Sequence, residues 1–179
     1  MQKGALDMDH LLHLAVAEEL RQRLDSRFEL VRDPACGGNQ QLPLFVGQRK
    51  ARETRMCCVD LLVLQSGTVR AIVEIEESGF LPTKIYGKFL QAALSTHFIH
   101  DSRPEGTIPY ADKVLFIQVL DGSKFKQDTR KDLQSELIQK QIRGILPLRG
   151  ITQYRLVFVA GKNDQQGLAT LGEAIALHI

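Results

Sequence analysis

The pattern of apolar and polar positions divides the chain into alternating helices and strands. Leu12, Val16, Leu20 and Leu24 recur every four residues and predict an amphipathic helix over 9–24, with Asp9 as its cap. The run over 28–32 reads as a strand, and a long polar loop follows it. Within that loop, 42–46 adds a short strand or packs as a flap. Two apolar, β-branched runs, over 57–64 and 69–76, flank Ser66, Gly67 and Thr68. A connection of about three residues containing glycine predicts a hairpin. After a break through Pro82, a helix is predicted over 82–97, with the proline in its first turn. Its Ile85, Phe89, Ala92 and Ala93 can face a sheet. Residues 101–112 read as a loop and 113–120 as a buried strand. A helix over 127–143 carries Leu133, Leu137 and Ile138 on its apolar side. A strand over 154–160 and a helix over 168–177 close the chain. This order predicts an α/β fold: a single domain with a mixed central β-sheet, a three-stranded meander within it, and flanking helices.

Composition agrees with that picture. A chain of 179 residues can form one ordinary domain, and 44% hydrophobic with 25% charged residues is usual for a soluble protein. A net charge of +2 does not by itself announce a nucleic-acid partner, so local clusters matter more. The three cysteines are an odd number: Cys57 and Cys58 read as small buried hydrophobes in a strand, and Cys36 stands alone in a loop. They predict no disulfide framework and a reducing, cytoplasmic setting. The first residues lack the apolar core of a signal peptide, and no run approaches membrane-spanning length.

The chemistry concentrates in the hairpin. With the turn centred on Gly67, Asp60 lies across from Glu74, and Glu76 shares a face with Glu74. Like charges placed opposite each other destabilise a sheet, so packing does not account for the three carboxylates. A hard divalent cation such as Mg²⁺ does. A two-residue turn would put Asp60 on the wrong face. Just before the hairpin stand Arg49, Lys50, Arg52 and Arg55, either a solvated basic loop or an arm contacting phosphates. Lys84, Lys88, Gln91 and Ser95 form a polar stripe on the following helix. Such stripes ordinarily face solvent, but its place one turn after the acidic strand points to a role for at least one lysine.

These residues resemble the PD-(D/E)XK nuclease superfamily, the restriction-endonuclease-like fold. Val59-Asp60 matches its Asp-bearing strand, and Glu74-Ile75-Glu76 occupies the (D/E)XK position. The likeness covers mainly 57–98, and the order of elements extends it to about 120. On that basis 9–120 is the core of a single nuclease-like domain over 1–179, with 121–179 completing it. The resemblance implies a Mg²⁺- or Mn²⁺-dependent endonuclease acting on DNA, of restriction or DNA-processing type. Asp60 and Glu74 would hold the metal, and Glu76 would hold a second metal or orient the attacking water. Gln91 would contact the substrate backbone. Members often place an acidic residue of the first helix near the metal, a role for Glu18 or Glu19 here. Many members act as dimers, so a homodimer is consistent with the resemblance. Two departures stand out: Val59 replaces the usual proline, and Glu76 replaces the usual lysine. Some restriction enzymes of the superfamily resemble this chain in having Glu there, and others supply the lysine from the following helix, as Lys84 or Lys88 would. The alternative is a catalytically inactive relative that binds nucleic acid or a protein partner. An interaction domain with coincidental surface carboxylates is a third reading.

Overall fold

A computed structural model describes residues 10–103, 106–124 and 129–179, so the predicted cap Asp9 and helix start Gln127 lie outside the described residues. In chain order the elements are α1 (Leu11–Arg23), β1 (Glu29–Arg32), β2 (Leu42–Phe45), β3 (Arg55–Val59), β4 (Leu61–Gln65), β5 (Thr68–Glu76), α2 (Pro82–Leu94), β6 (His97–Ile99), β7 (Thr107–Asp121), α3 (Thr129–Gly144), β8 (Ile151–Val159) and α4 (Gln165–Ala176). β1, β4 and β5 pair antiparallel in sequence, and β5, β7 and β8 pair parallel, giving a mixed sheet. Both faces are covered, which is why its strands read as nearly continuous apolar runs. Odd positions of β5 (Ala71, Val73, Ile75) join Leu12, Val16 and Leu20 of α1 and Leu171 of α4 in one core layer. Ile72 joins Ile85 and Phe89 of α2 and Ile138 and Ile142 of α3 in the other.

The hairpin tip differs from the expected three-residue loop. Gln65 pairs with Thr68, so the turn is Ser66-Gly67, and both residues have positive φ (50° and 72°). That is the conformation of the tight turns whose twist suits a hairpin. Continued unbroken, this register would set Leu61 against Ile72. Instead the register shifts between Val63 and Leu64, leaving Arg70 as an extra residue, and Leu61 meets Val73. The bulge restores the register that the longer loop would have set.

The run over 57–64 is two strands rather than one. β3 pairs with β2, β2 with β6, and β6 with the start of β7, forming a second antiparallel ribbon. β4 belongs to the main sheet, and Asp60 stands at the break between them. β7 serves both: Thr107–Pro109 pair with β6, and Tyr110 and Leu115–Leu120 pair with β5. The expected helix over 82–97 therefore ends early, at Leu94. Ser95 caps it, with its hydroxyl donating to Gln91 O at 2.9 Å, and the Thr96 N–H donates to Phe45 O at 2.8 Å. Thr96, His97 and Phe98 suit a strand, and they turn the chain into β6. The loop expected over 101–112 is partly the start of β7 for the same reason. In α3, Leu133 and Leu137 are exposed against expectation, whereas Ile138 is buried as expected and is joined by Ile142. Of the cysteines, all free, the loop residue Cys36 is fully buried, whereas Cys57 is half-buried and Cys58 exposed.

Candidate active site

Strand alternation puts Glu74 and Glu76 on the α2 side of β5, where α2 meets them. Pro82 starts α2, so Lys84 lies in its first turn and Lys88 one turn later. Lys88 Nζ is 2.7 Å from Glu74 Oε2, and Glu74 is only 3% exposed. Lys84 Nζ stands 3.5 Å from Glu76 Oε2 and donates to Ser78 Oγ at 2.7 Å. Glu76 also accepts the Ser78 N–H at 2.9 Å and the Ser78 hydroxyl proton. Asp60 does not lie squarely on that face as expected. Sitting at the strand break, its Oδ2 accepts the Ile75 N–H at 2.6 Å and reaches His13 of α1 at 3.8 Å. It touches both layers while remaining beside Glu74.

Burial pushes the Glu74 pKa up to about 8, and the neighbouring Asp60 adds to the rise against the opposing pull of Lys88. Burial alone would lower Lys88, but the charges of Glu74 and Asp60 outweigh it and raise its pKa. Glu74 thus keeps its proton well above the usual carboxylate range, and Lys88 against it stays cationic. Burial also opposes the charge of Glu76, yet its Ser78 hydrogen bonds and the two lysines outweigh that and lower its pKa. Burial, then the Glu74 charge, push the Cys57 thiol up to about 12.

Three further residues come to the site without having been picked from the sequence. Glu77 Oε1 accepts the Leu12 and His13 N–H groups at 2.9 and 3.2 Å and lies 2.9 Å from His13 Nδ1. It therefore caps the start of α1. His13 is buried on the same stripe as Val16 and Leu20, and a polar residue at that spacing was the available signal. Asp33 donates its backbone N–H to Asp60 O at 3.0 Å. Burial raises the pKa of its carboxyl, with Asp60 adding to the rise and the Cys36 N–H opposing it. A cavity of about 400 Å³ opens here, lined among others by His10, Asp33, Gln41, Cys58 and Asp60.

Other expected residues are not gathered here. Glu18 lies on the exposed side of α1, paired with Arg21 at 2.6 Å and Gln22 at 2.7 Å, and its pKa is well below the usual carboxylate range because of them. Glu19 accepts from Arg23 at 2.8 Å. Arg49, Lys50, Arg52 and Arg55 are all exposed, with Arg49 paired to Glu53 at 3.2 Å and Lys50 to Asp101. Gln91 is exposed, and Ser95 is a buried cap rather than part of a solvent stripe.

No helix among the described residues is long and apolar enough to cross a membrane. No protein-family model, curated protein or solved structure matches the chain.

Proposed function

We propose that the protein is a Mg²⁺- or Mn²⁺-dependent endonuclease that hydrolyses DNA phosphodiester bonds, a variant of the PD-(D/E)XK type. The observation that carries this reading is the buried Glu74 carboxyl held against Asp60, with Lys88 at 2.7 Å. Burying a carboxyl beside another is costly for a fold, and such arrangements cluster at functional sites. The element order supports it as well: α1, the meander β1-β4-β5, the crossover α2 and the parallel β7 follow the sequence of elements that the resemblance implies. The small ribbon of β2 and β3 is inserted between the first two strands of the meander.

The donor set fits the cation. Asp60, Glu74 and Glu76 offer hard oxygens, and the proton kept by the buried Glu74 carboxyl is one that a divalent ion would displace. When bound, the cation polarises the phosphate and makes a water more acidic. Asp60 and Glu74 would hold it, and Glu76, fixed by Ser78, would hold a second ion or orient the attacking water. Lys88 would neutralise charge that builds on the phosphate oxygens, replacing the strand lysine that Glu76 displaces. The test is incubation of plasmid and linear duplex with the purified protein and Mg²⁺ or Mn²⁺, beside Asp60→Ala. Cation-dependent cutting lost in the variant supports the reading. Duplex binding without cutting by wild type would favour the inactive relative, for which the glutamate at position 76 is the specific observation.

Two expected outcomes follow from individual residues. Wild type should melt higher with Mg²⁺, since a ligand bound only by the folded state adds about 2.7 kcal/mol at a hundredfold excess over Kd. Asp60→Ala should erase the gain, and equal shifts in the two proteins would remove the cation from this corner. Separately, the exposed basic segment faces solvent, where phosphates would compete with Glu53 and Asp101 for Arg49 and Lys50. Replacing Arg49, Lys50 and Arg52 by Ala should reduce the log–log salt slope of duplex binding by about 0.9 for each phosphate no longer neutralised and weaken all sequences alike. An unchanged slope makes the segment a solvated loop.

A further inference from the structure

The start of α1 carries a second cluster of ligand-type side chains that the proposed carboxylate chemistry does not use. His10 and His13, three residues apart, project on one side of the helix start, their rings meeting edge to face at 5.0 Å. Glu77, the first residue after β5, reaches the same point. Ligand atoms of His10, His13 and Glu77 all lie within 4.8 Å of one another. We propose that these three residues form a binding site for a borderline first-row transition-metal ion, zinc foremost, separate from the Mg²⁺ held by Asp60 and Glu74.

The donor types decide the ion. Imidazole nitrogens favour zinc and its neighbours over Mg²⁺ or Ca²⁺, which take oxygen. Two histidines and one carboxylate make a three-ligand set of the kind that leaves a coordination position for water or substrate. Tetrahedral ligands at about 2.0–2.1 Å from zinc stand roughly 3.3 Å apart. His13 Nδ1 and Glu77 Oε1 are already 2.9 Å apart, so only His10, within 4.8 Å of them, has to close in. Helix capping explains why Glu77 sits here, but it does not explain His10. Its Nδ1 is buried with no hydrogen-bond partner among the described residues, a costly state that a bound ion relieves.

The surroundings match as well. A metal-bound histidine usually gives its other ring nitrogen to a carboxylate, which fixes the ring. With Nδ1 toward Glu77, His13 Nε2 stands 3.8 Å from Asp60 Oδ2, and a shift of under about 1 Å would bring them into a hydrogen bond. Asp60 would thus be the outer partner of one site and a ligand of the other. The cavity of about 400 Å³ lined by His10, Asp33 and Asp60 gives the ion an entry path.

The test uses tag-free, chelator-stripped full-length protein held in excess Mg²⁺, so that the carboxylate site is satisfied. Zn²⁺ is titrated by calorimetry, and Co²⁺ by its visible ligand-field absorption. Wild type is expected to take up one ion with a Co²⁺ spectrum of low coordination number. His10→Ala and Glu77→Gln should each weaken uptake by more than about 100-fold, beyond the upper limit for losing an outer-shell partner, whereas Asp60→Asn should cost about 10–100-fold. Glu74→Gln should leave uptake unchanged. His10 Nδ1 has no hydrogen-bond partner among the described residues, so His10→Ala reads out the metal even where Glu77→Gln loosens the helix. Wild type that takes up no Zn²⁺ or Co²⁺, or uptake indifferent to His10→Ala, overturns the proposal. So does uptake lost with Glu74→Gln, which would merge the two sites into one. Cleavage plays no part in this readout, so failure of the nuclease reading and failure of this site remain distinguishable.

Discussion

Glu74→Gln is expected to cut cleavage by roughly 10³-fold while making the metal-free protein more stable at alkaline pH. In the folded chain the Glu74 carboxyl keeps its proton up to about pH 8, against an ordinary value of 4.5. Between those values the folded state holds more protons than the unfolded one, so unfolding free energy falls as pH rises. The loss is on the order of a few kcal/mol across that window. Glutamine has no proton to lose and nearly the same shape, so the variant should hold its stability where wild type declines. Urea denaturation at a series of pH values from 5 to 9 measures this directly. A wild-type curve as flat as the variant's would mean that Glu74 ionises normally. Activity should move the other way, with cleavage falling by roughly 10³-fold, as for loss of a strong electrostatic group. The same proton gives Mg²⁺ affinity a pH dependence, rising toward pH 8 in wild type because binding must release it.

Lys88→Ala is expected to reduce cleavage by about 10²–10³-fold, with Lys84→Ala costing far less. Lys88 is the cation whose ammonium meets the buried carboxylate pair, and both Glu74 and Asp60 raise its pKa against the pull of burial. Lys84 is nearly half exposed and is divided between Ser78 and Glu76. The two lysines lie one turn apart, so a general loss of positive charge would affect both variants alike. Lys88→Arg keeps the charge but replaces a compact ammonium by a planar fork, and partial rescue is expected. Single-turnover cleavage separates these from binding defects. If Lys84→Ala and Lys88→Ala both cut like wild type, Glu76 works without a cation from α2.

The sequence carried the main sheet, because each of its strands is an apolar run with turn residues at its ends, and it carried the pairing of Glu74 with Glu76 through simple alternation. It did not carry the break at Asp60. Val59, Asp60 and Leu61 continue an apolar stretch, and only the competing partners β2 and β1 divide it into two strands. β6 was hidden for a similar reason: the helix expected over 82–97 takes in His97, and only its pairing with Phe45 and Pro109 makes it the start of a strand. His13 and Glu77 are 64 positions apart, and nothing local brings them together. Glu77 also falls one place outside the alternation that marks Glu74 and Glu76.

The bulge at Arg70 makes the hairpin tip interchangeable. The observed two-residue turn with a bulge, and a three-residue turn over Ser66, Gly67 and Thr68 without one, give the same pairing from Val63 and Ala71 onward. Both therefore deliver Asp60 to Glu74. The acidic end lies roughly 20 Å from the tip at about 3.3 Å per residue, so the last pairs of the ladder can exchange partners without disturbing it. A fluorophore, an affinity tag or a short inserted peptide can enter at Ser66-Gly67, and the chain behind it keeps count.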